Sequence, residues 1–252
     1  MLLGLKQEHC ELRRIEDGQD KWEEILMWVI AHRGGGELFA ENTLTAFIQS
    51  EALGVDLVEC DVHLSRDGQL MVIHDETLER TGARPVQVAQ LTAKELRQID
   101  VGDGLGVPTL PALLEAIHIP VVVELKTPKV VAALLTLLQD NPPLIERIAP
   151  ISFFHDAIKT LSDHFPRLQT GILLVGVPVD LPHMAKSAHT QMLALHHQLI
   201  NRTLVDEIHR QNLLVTVWTP NSEADIQQCV DIGVDGISSD RPDRVLANLG
   251  RA

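Results

Sequence analysis

Leu57-Val58-Glu59-Cys60-Asp61-Val62-His63-Leu64-Ser65-Arg66-Asp67-Gly68-Gln69-Leu70-Met71-Val72-Ile73-His74-Asp75 is the stretch that decides how this chain folds. Two apolar runs, Leu57-Val58 and Leu70 to Ile73, flank Ser65 to Gln69. That gap is too short for the crossover helix that parallel neighbours need, and Asp67-Gly68 is a dipeptide of tight hairpins. The second run is therefore expected to fold back antiparallel on the first. Pairing outward from the turn brings His74 near Glu59 and Asp61.

Other short apolar runs recur along the chain: Trp28 to Ala31, Val121 to Val123, Ile148 to Phe154, Gly171 to Val175, Met192 to Leu195, Leu213 to Trp218 and Gly236-Ile237. Helix-like segments alternate with most of them, at Leu44–Leu53, Leu110–Ile117, Val130–Gln139, Ala157–His164, Arg202–Arg210 and Glu223–Ile232. Alternation of this kind predicts a mainly parallel sheet covered by helices. Setting aside the hairpin strand leaves the runs that an α/β fold of the (β/α)8 (TIM) barrel type requires, with an antiparallel hairpin extension after strand two. A doubly wound sheet fits less well. Gly34-Gly35-Gly36 follows the first strand, but His32-Arg33 precede it and the spacing is not that of a dinucleotide fingerprint. No linker or shift in composition divides the 252 residues. One barrel domain over 27–252 is expected, after an N-terminal extension over 1–26.

Lys+Arg 21 against Asp+Glu 35 gives a formal charge of −14, which disfavours nucleic acid and anionic membrane as partners. A small anionic substrate is compatible, because a site can carry its own cations. No apolar run reaches the length of a membrane span, and the first twenty residues lack a signal-peptide core. Three unpatterned cysteines (Cys10, Cys60, Cys229) suit a reducing compartment. The expectation is a cytoplasmic protein with no stable membrane association; composition is silent on oligomeric state.

Chemistry gathers where the apolar runs end. His32-Arg33, Glu59 and Asp61, His74-Asp75, and Glu124 with Lys126 each follow such a run. A polar group at the end of a buried strand is costly unless something binds there. Strand side chains alternate faces, so Glu59 and Asp61 point one way and Val58, Cys60 and Val62 the other. The same parity pairs Glu124 with Lys126. Three carboxylates at one barrel mouth repel strongly unless a hard divalent cation, Mg²⁺ or Ca²⁺, takes them as oxygen ligands. Buried ion pairs with Arg33 and Lys126 are the rival reading. His32 and His74 can each carry a proton near neutral pH and are the candidate acid–base pair. Arg33 and Lys126 offer fixed positive charge for a phosphate. Trp218 is a candidate pocket wall, and His196-His197 are reserve candidates at another strand end. Glu41-Asn42-Thr43 reads as a capped helix start that holds the His32 loop.

In this order and spacing, the chain resembles the glycerophosphodiester phosphodiesterases. The resemblance rests on His32-Arg33-Gly34, Glu41-Asn42-Thr43, Glu59-Cys60-Asp61, His74-Asp75 with Leu78-Glu79-Arg80-Thr81, and Glu124-Leu125-Lys126. Val217-Trp218-Thr219 and Gly233 to Ile237 followed by Asp240 also fit, and the likeness covers about residues 28–246. It implies metal-dependent hydrolysis of a small glycerophosphodiester to sn-glycerol 3-phosphate and an alcohol, with His32 and His74 catalytic. It also implies that Glu59, Asp61 and Glu124 bind the metal and that Arg33 and Lys126 grip the phosphate. Ala40 stands where the family commonly has proline, and Ser238-Ser239 replace an apolar-Thr step. The short segment from Thr81 to Thr109 suggests an open site for soluble diesters. Two routes suit these groups: attack by the substrate's own 2-hydroxyl through a cyclic phosphate, or direct attack by water. Rival functions are a lysophospholipase D or phosphoinositide-type lipase, for which no apolar rim is evident in the sequence, a non-catalytic sugar-phosphate sensor, and a metal-dependent aldolase or isomerase.

Overall fold

The computed structural model describes residues 27–251; the expected extension over 1–26 lies outside them. Nine strands are present among these residues: β1 (Trp28–Ala31), β2 (Leu57–Leu64), β3 (Leu70–Val72), β4 (Val121–Leu125), β5 (Ile148–Ser152), β6 (Gly171–Leu174), β7 (Met192–His196), β8 (Leu214–Trp218) and β9 (Gly236–Ser239). Eight of them pair in parallel and close into a ring. β1 meets β2 with Ile30 opposite Leu57, and meets β9 with Trp28 opposite Gly236. The fold is a (β/α)8 barrel. β3 is the exception: it lies antiparallel on β2, with Val62 opposite Val72 and Leu64 opposite Leu70.

Helices Leu44–Ala52, Leu110–Ala116, Val130–Asp140, His155–His164, Leu181–Ser187, Arg202–His209, Glu223–Ile232 and Pro242–Asn248 form the outer layer. The sequence reading missed Leu181–Ser187 and Pro242–Asn248. Both begin with proline at the first or second helical position, where its lost N–H costs no helical bond.

Period-two alternation sorts the strand residues cleanly. Val29, Ala31, Val58, Cys60, Val62, Val121, Val123 and Leu125 join the large core between strands and helices. Trp28, Ile30, Leu57, Val122, Ile151, Leu173, Met192 and Ala194 fill the barrel interior instead. Following that inward parity along the strands and just beyond them brings His32, Glu59, Asp61, Glu124, Lys126, Phe153 and Trp218 to the C-terminal mouth, where barrels of this kind place their chemistry. A third, smaller core of Met71, Ile73, Leu78, Leu96, Ile99 and Val107 packs the segment after β3 against the hairpin. That packing holds His74 over the mouth.

Candidate active site

The His32 loop is built under conformational constraint. Arg33 adopts a left-handed backbone (φ 52°, ψ 29°), which costs an L-residue carrying a Cβ about 1 kcal/mol. This turns its N–H onto Glu59 Oε2 at 3.0 Å. Gly34 follows at φ +75°, pressed so close to the helix that a Cβ there would lie 2.9 Å from Ala46 Cβ. Thr43 caps that helix by accepting from the Ala46 N–H at 3.2 Å. Asn42 donates to Asp61 Oδ2 at 2.9 Å and accepts from the Asp61 N–H, so this residue, read as a cap, fixes a site carboxylate.

The three carboxylates predicted to gather do so. Glu59, Asp61 and Glu124 are all buried, and each offers an oxygen within 4.8 Å of the others. Burial, followed by the charge of Asp61, pushes the Glu59 carboxyl up to about 8. Burial and the Asp61 charge likewise raise Glu124. Asp61 goes the other way. Its burial opposes ionisation, but Lys126 and Arg33 hold it below its ordinary value. Lys126 Nζ bonds Glu124 Oε1 at 2.8 Å and lies 3.4 Å from Asp61 Oδ1; Arg33 Nε lies 3.4 Å from Asp61 Oδ2. The ion pairs of the rival reading are thus present beside the acidic triad. The two cations do not complete the set, because buried Asp61 Oδ1 accepts no hydrogen bond. An orphaned carboxylate oxygen among three oxygen donors fits a hard divalent cation.

Both predicted histidines line the same cavity as Glu59, Glu124, Arg33 and Lys126. This cavity, of about 150 Å³, is floored by aliphatic residues of the barrel interior. His32 Nδ1 is 2.7 Å from Asp240 Oδ1, and its Nε2 is 3.9 Å from Glu59 Oε2. Burial drags the His32 imidazole down; the Asp240 hydrogen bond and the charge of Glu59 outweigh it and hold the ring above its ordinary value. His74 Nδ1 is tied to Asp75 Oδ1 at 2.6 Å, and Arg80 Nε donates to the other Asp75 oxygen at 2.6 Å. Arg80 also grips Glu41 through two bonds of 2.7 Å, and Glu41 in turn reaches Arg33 at 3.3 Å. Each imidazole therefore has one nitrogen held by a carboxylate and one left for chemistry.

Several partners escaped the sequence reading. Asp240 was visible only as the end of a motif, although an acid at the end of the last strand faces β1 once the barrel closes. Asn221 donates to Asp240 Oδ2 at 2.8 Å and accepts from the Asp240 N–H and Ser239 Oγ, both at 2.9 Å. His63 points its Nε2 at the His74 carbonyl at 3.0 Å, pinning the backbone beside the predicted catalytic ring. Trp218 walls the cavity as expected, donating to the Ala194 carbonyl at 3.2 Å and meeting Phe153 edge to face at 5.9 Å. The reserve pair stands apart: His196 packs on Trp218 and His197 stacks on His196, and neither lines the cavity.

Comparison with known proteins agrees with this geometry. The sequence profile of the glycerophosphoryl diester phosphodiesterase family matches residues 32–244. A glycerophosphodiester phosphodiesterase of Caldanaerobacter subterraneus subsp. tengcongensis is 32% identical over 238 residues, covering 88% of this chain and 97% of its own. The crystal structure of a glycerophosphodiester phosphodiesterase from Agrobacterium tumefaciens, 26% identical, superposes with a TM-score of 0.76 over 88% of this chain and 100% of that one. An Oleispira antarctica phosphodiesterase in complex with the product sn-glycerol-3-phosphate shares the fold at 24% identity, with a TM-score of 0.81 over 88% and 96%. With the profile spanning most of the barrel, this chain belongs to the glycerophosphoryl diester phosphodiesterase family.

Proposed function

We propose that the protein hydrolyses glycerophosphodiesters to sn-glycerol 3-phosphate and a free alcohol, with His32 and His74 exchanging protons. The observation that carries this reading is that two imidazoles, each tethered through Nδ1 to a carboxylate, line one cavity with Glu59, Glu124, Arg33 and Lys126, and that buried Asp61 completes the acidic triad beside it. Glu59, Asp61 and Glu124 are the residues to hold one Mg²⁺ or Ca²⁺. When bound, that cation neutralises the carboxylates and draws charge from the phosphoryl oxygens.

Arg33 and Lys126 grip the phosphate and stabilise the charge that builds on it. Arg33 suits this task because its backbone and guanidinium are already fixed by Glu59, Glu41 and Asp61. One histidine takes the proton of the attacking hydroxyl and the other protonates the departing alkoxide, while Asp240 and Asp75 keep each ring in one tautomer. Trp218 orients the organic part of the substrate. The cytoplasm is the proposed location, supported by Cys60 and Cys229, both buried and unbridged. Among the described residues no helix is long and apolar enough to cross a membrane.

The test is a panel of glycerophosphodiesters assayed for released glycerol 3-phosphate with Mg²⁺ and with Ca²⁺. Reaction in ¹⁸O-water, with a search for cyclic glycerol phosphate, distinguishes attack by the substrate's hydroxyl from attack by water. Wild-type rates in both His32→Ala and His74→Ala would refute the assignment.

A further inference from the structure

One hydroxyl on the wall of the catalytic cavity has no partner in the protein. Ser238 lies on β9 opposite Ile30 of β1 and Trp218 of β8, and all three line the cavity. Its neighbour Ile237 turns the other way, into the core beneath the helices. Ser238 is only 8% exposed, and its Oγ makes no hydrogen bond. Other buried serines of the barrel are satisfied: Ser239 Oγ donates to the Pro220 carbonyl and Ser152 Oγ to the Leu125 carbonyl, both at 2.7 Å. Among the described residues, the buried side-chain atoms without a hydrogen bond include only two from residues that line this cavity, Arg33 Nε and Ser238 Oγ. Arg33 Nε faces Asp61 at 3.4 Å. Ser238 Oγ faces no such group. A buried hydroxyl left unpaired is costly, and rotation about its single χ1 bond sweeps it across the cavity wall.

The surroundings define what can meet it. The charged residues of the lining, His32, Arg33, Glu59, His74, Glu124 and Lys126, all belong to the mouth. Below them the cavity is lined by Ile30, Leu57, Val122, Leu173 and Met192, with Thr216 as the other hydroxyl-bearing residue at that depth. An alkylammonium entering there would lie in hydrocarbon without a counter-charge. An uncharged arm bearing a hydroxyl would not. The cavity measures about 150 Å³, the size that takes a benzene-sized guest of about six heavy atoms. A glyceryl group with its ester oxygen is that size. Ser238 also stands two residues before Asp240, which bonds His32 at the mouth, so it lies about 7 Å deeper along the extended strand. That depth suits the terminal hydroxyl of glycerol, one carbon farther from phosphorus than the secondary one.

Resting on the function proposed above, we propose that Ser238 is a specificity-determining residue: its hydroxyl pairs with the terminal hydroxyl of the glyceryl arm, which enters the barrel while the head group stays at the mouth. The same position is one of this chain's departures from the family pattern, which has an apolar side chain there.

The experiment measures kcat/KM for sn-glycerophosphocholine and for its 1-deoxy analogue, the phosphocholine ester of propane-1,2-diol with the same configuration. The corresponding ethanolamine pair is run alongside. Wild type should favour the glyceryl substrate about five- to tenfold, the range of one neutral hydrogen bond. Ser238→Ala and Ser238→Cys, each shown by thermal melt to fold, should reduce that preference below about twofold with either head group. Absence of the preference in wild type overturns the inference whatever the variants do, and leaves the proposed function standing. So does a preference that survives both variants, or a slowing by both variants that is equal for the two substrates, which is the mark of a merely structural serine. A preference that depends on the head group would put the leaving arm in the barrel and overturns the inference too. Failure of wild type to turn over either glycerophosphodiester overturns the proposed function itself.

Discussion

Replacing Asp240 with asparagine should uncouple His32 from its role while leaving the barrel intact. Asp240 accepts from two donors at once: His32 Nδ1–H on Oδ1 at 2.7 Å and Asn221 Nδ2–H on Oδ2 at 2.8 Å. An asparagine has one acceptor oxygen, so one of those donors must face an amide NH2. If the NH2 faces His32, the ring is forced into the wrong tautomer; in triad hydrolases the comparable change costs about 10⁴-fold in kcat. If it faces Asn221, the tautomer survives but the charge does not. Opposite unit charges about 4 Å apart interact by about 4 kcal/mol at an effective dielectric constant near 20. The side chains of His32 and Asp240 are only 14% and 22% exposed, so water halves this at most, leaving about 2 kcal/mol, or roughly 1.5 pH units. The expected phenotype is therefore a loss in kcat of about 10²- to 10⁴-fold and a His32 limb of the pH–rate profile moved to lower pH. A compensating swap separates the two effects. Asp240→Asn with Asn221→Asp, in a Glu37→Gln background because Glu37 accepts from Asn221 at 3.1 Å, restores the acceptor for His32 without the adjacent charge. It should regain kcat in part and keep the shifted profile. Asp240→Asn with kcat within threefold of wild type and an unmoved profile would refute the reasoning.

The remaining predictions test other parts of the molecule. Glu59, raised by burial and by Asp61 from 4.5 to about 8, binds more protons folded than unfolded across that interval, so metal-free protein should lose stability as pH rises through it. Thermal melts from pH 5 to 8 should slope downward with chelator and flatten with excess Ca²⁺ or Mg²⁺. Glu124→Gln should weaken cation binding, read by titration calorimetry, and lower activity at least tenfold at fixed metal. Gly34→Ala combines a positive φ with a contact of 2.9 Å to Ala46 Cβ and should destabilise by about 2–4 kcal/mol in urea unfolding. Arg80→Ala removes a half-exposed side chain and should cost about 1 kcal/mol or less of stability. By freeing Asp75 and Glu41, the same change should lower kcat about tenfold with KM little altered, and lysine should restore less than half of the loss because it lacks the planar fork.

What the sequence made legible were strand ends and parity. His32, Glu59, Asp61, Glu124 and Lys126 could be placed at one mouth because each follows a buried run in an inward register. The Asp67-Gly68 turn placed His74. What it hid were contacts made across closure. Asp240 and Asn221 sit beside His32 only because β9 returns to β1, and nothing local to residues 221 or 240 shows that. Asn42 looked like a helix cap because Asn, Asp, Ser and Thr are interchangeable there; its bond to Asp61 depends on a left-handed turn that only coordinates reveal. The exposed Val175, Val177 and Val179 after β6 were concealed for another reason. An apolar run reads the same whether it is a buried strand or a strand that ends early and continues into water.

Closure of the ring has a consequence for how activity emerges as the chain folds. The His32–Asp240 bond joins positions 208 residues apart, across the seam where the first and last strands meet. Contacts so distant along the chain form late, because the loop they close must first lose its freedom. An incomplete barrel, on a ribosome or in a refolding flask, contains the neighbouring strands β2 and β4 that carry Glu59, Asp61 and Glu124, yet its first histidine has no orienting acid. Recovery of turnover should lag behind recovery of helical signal, which makes catalysis a reporter of the final stitch rather than of collapse.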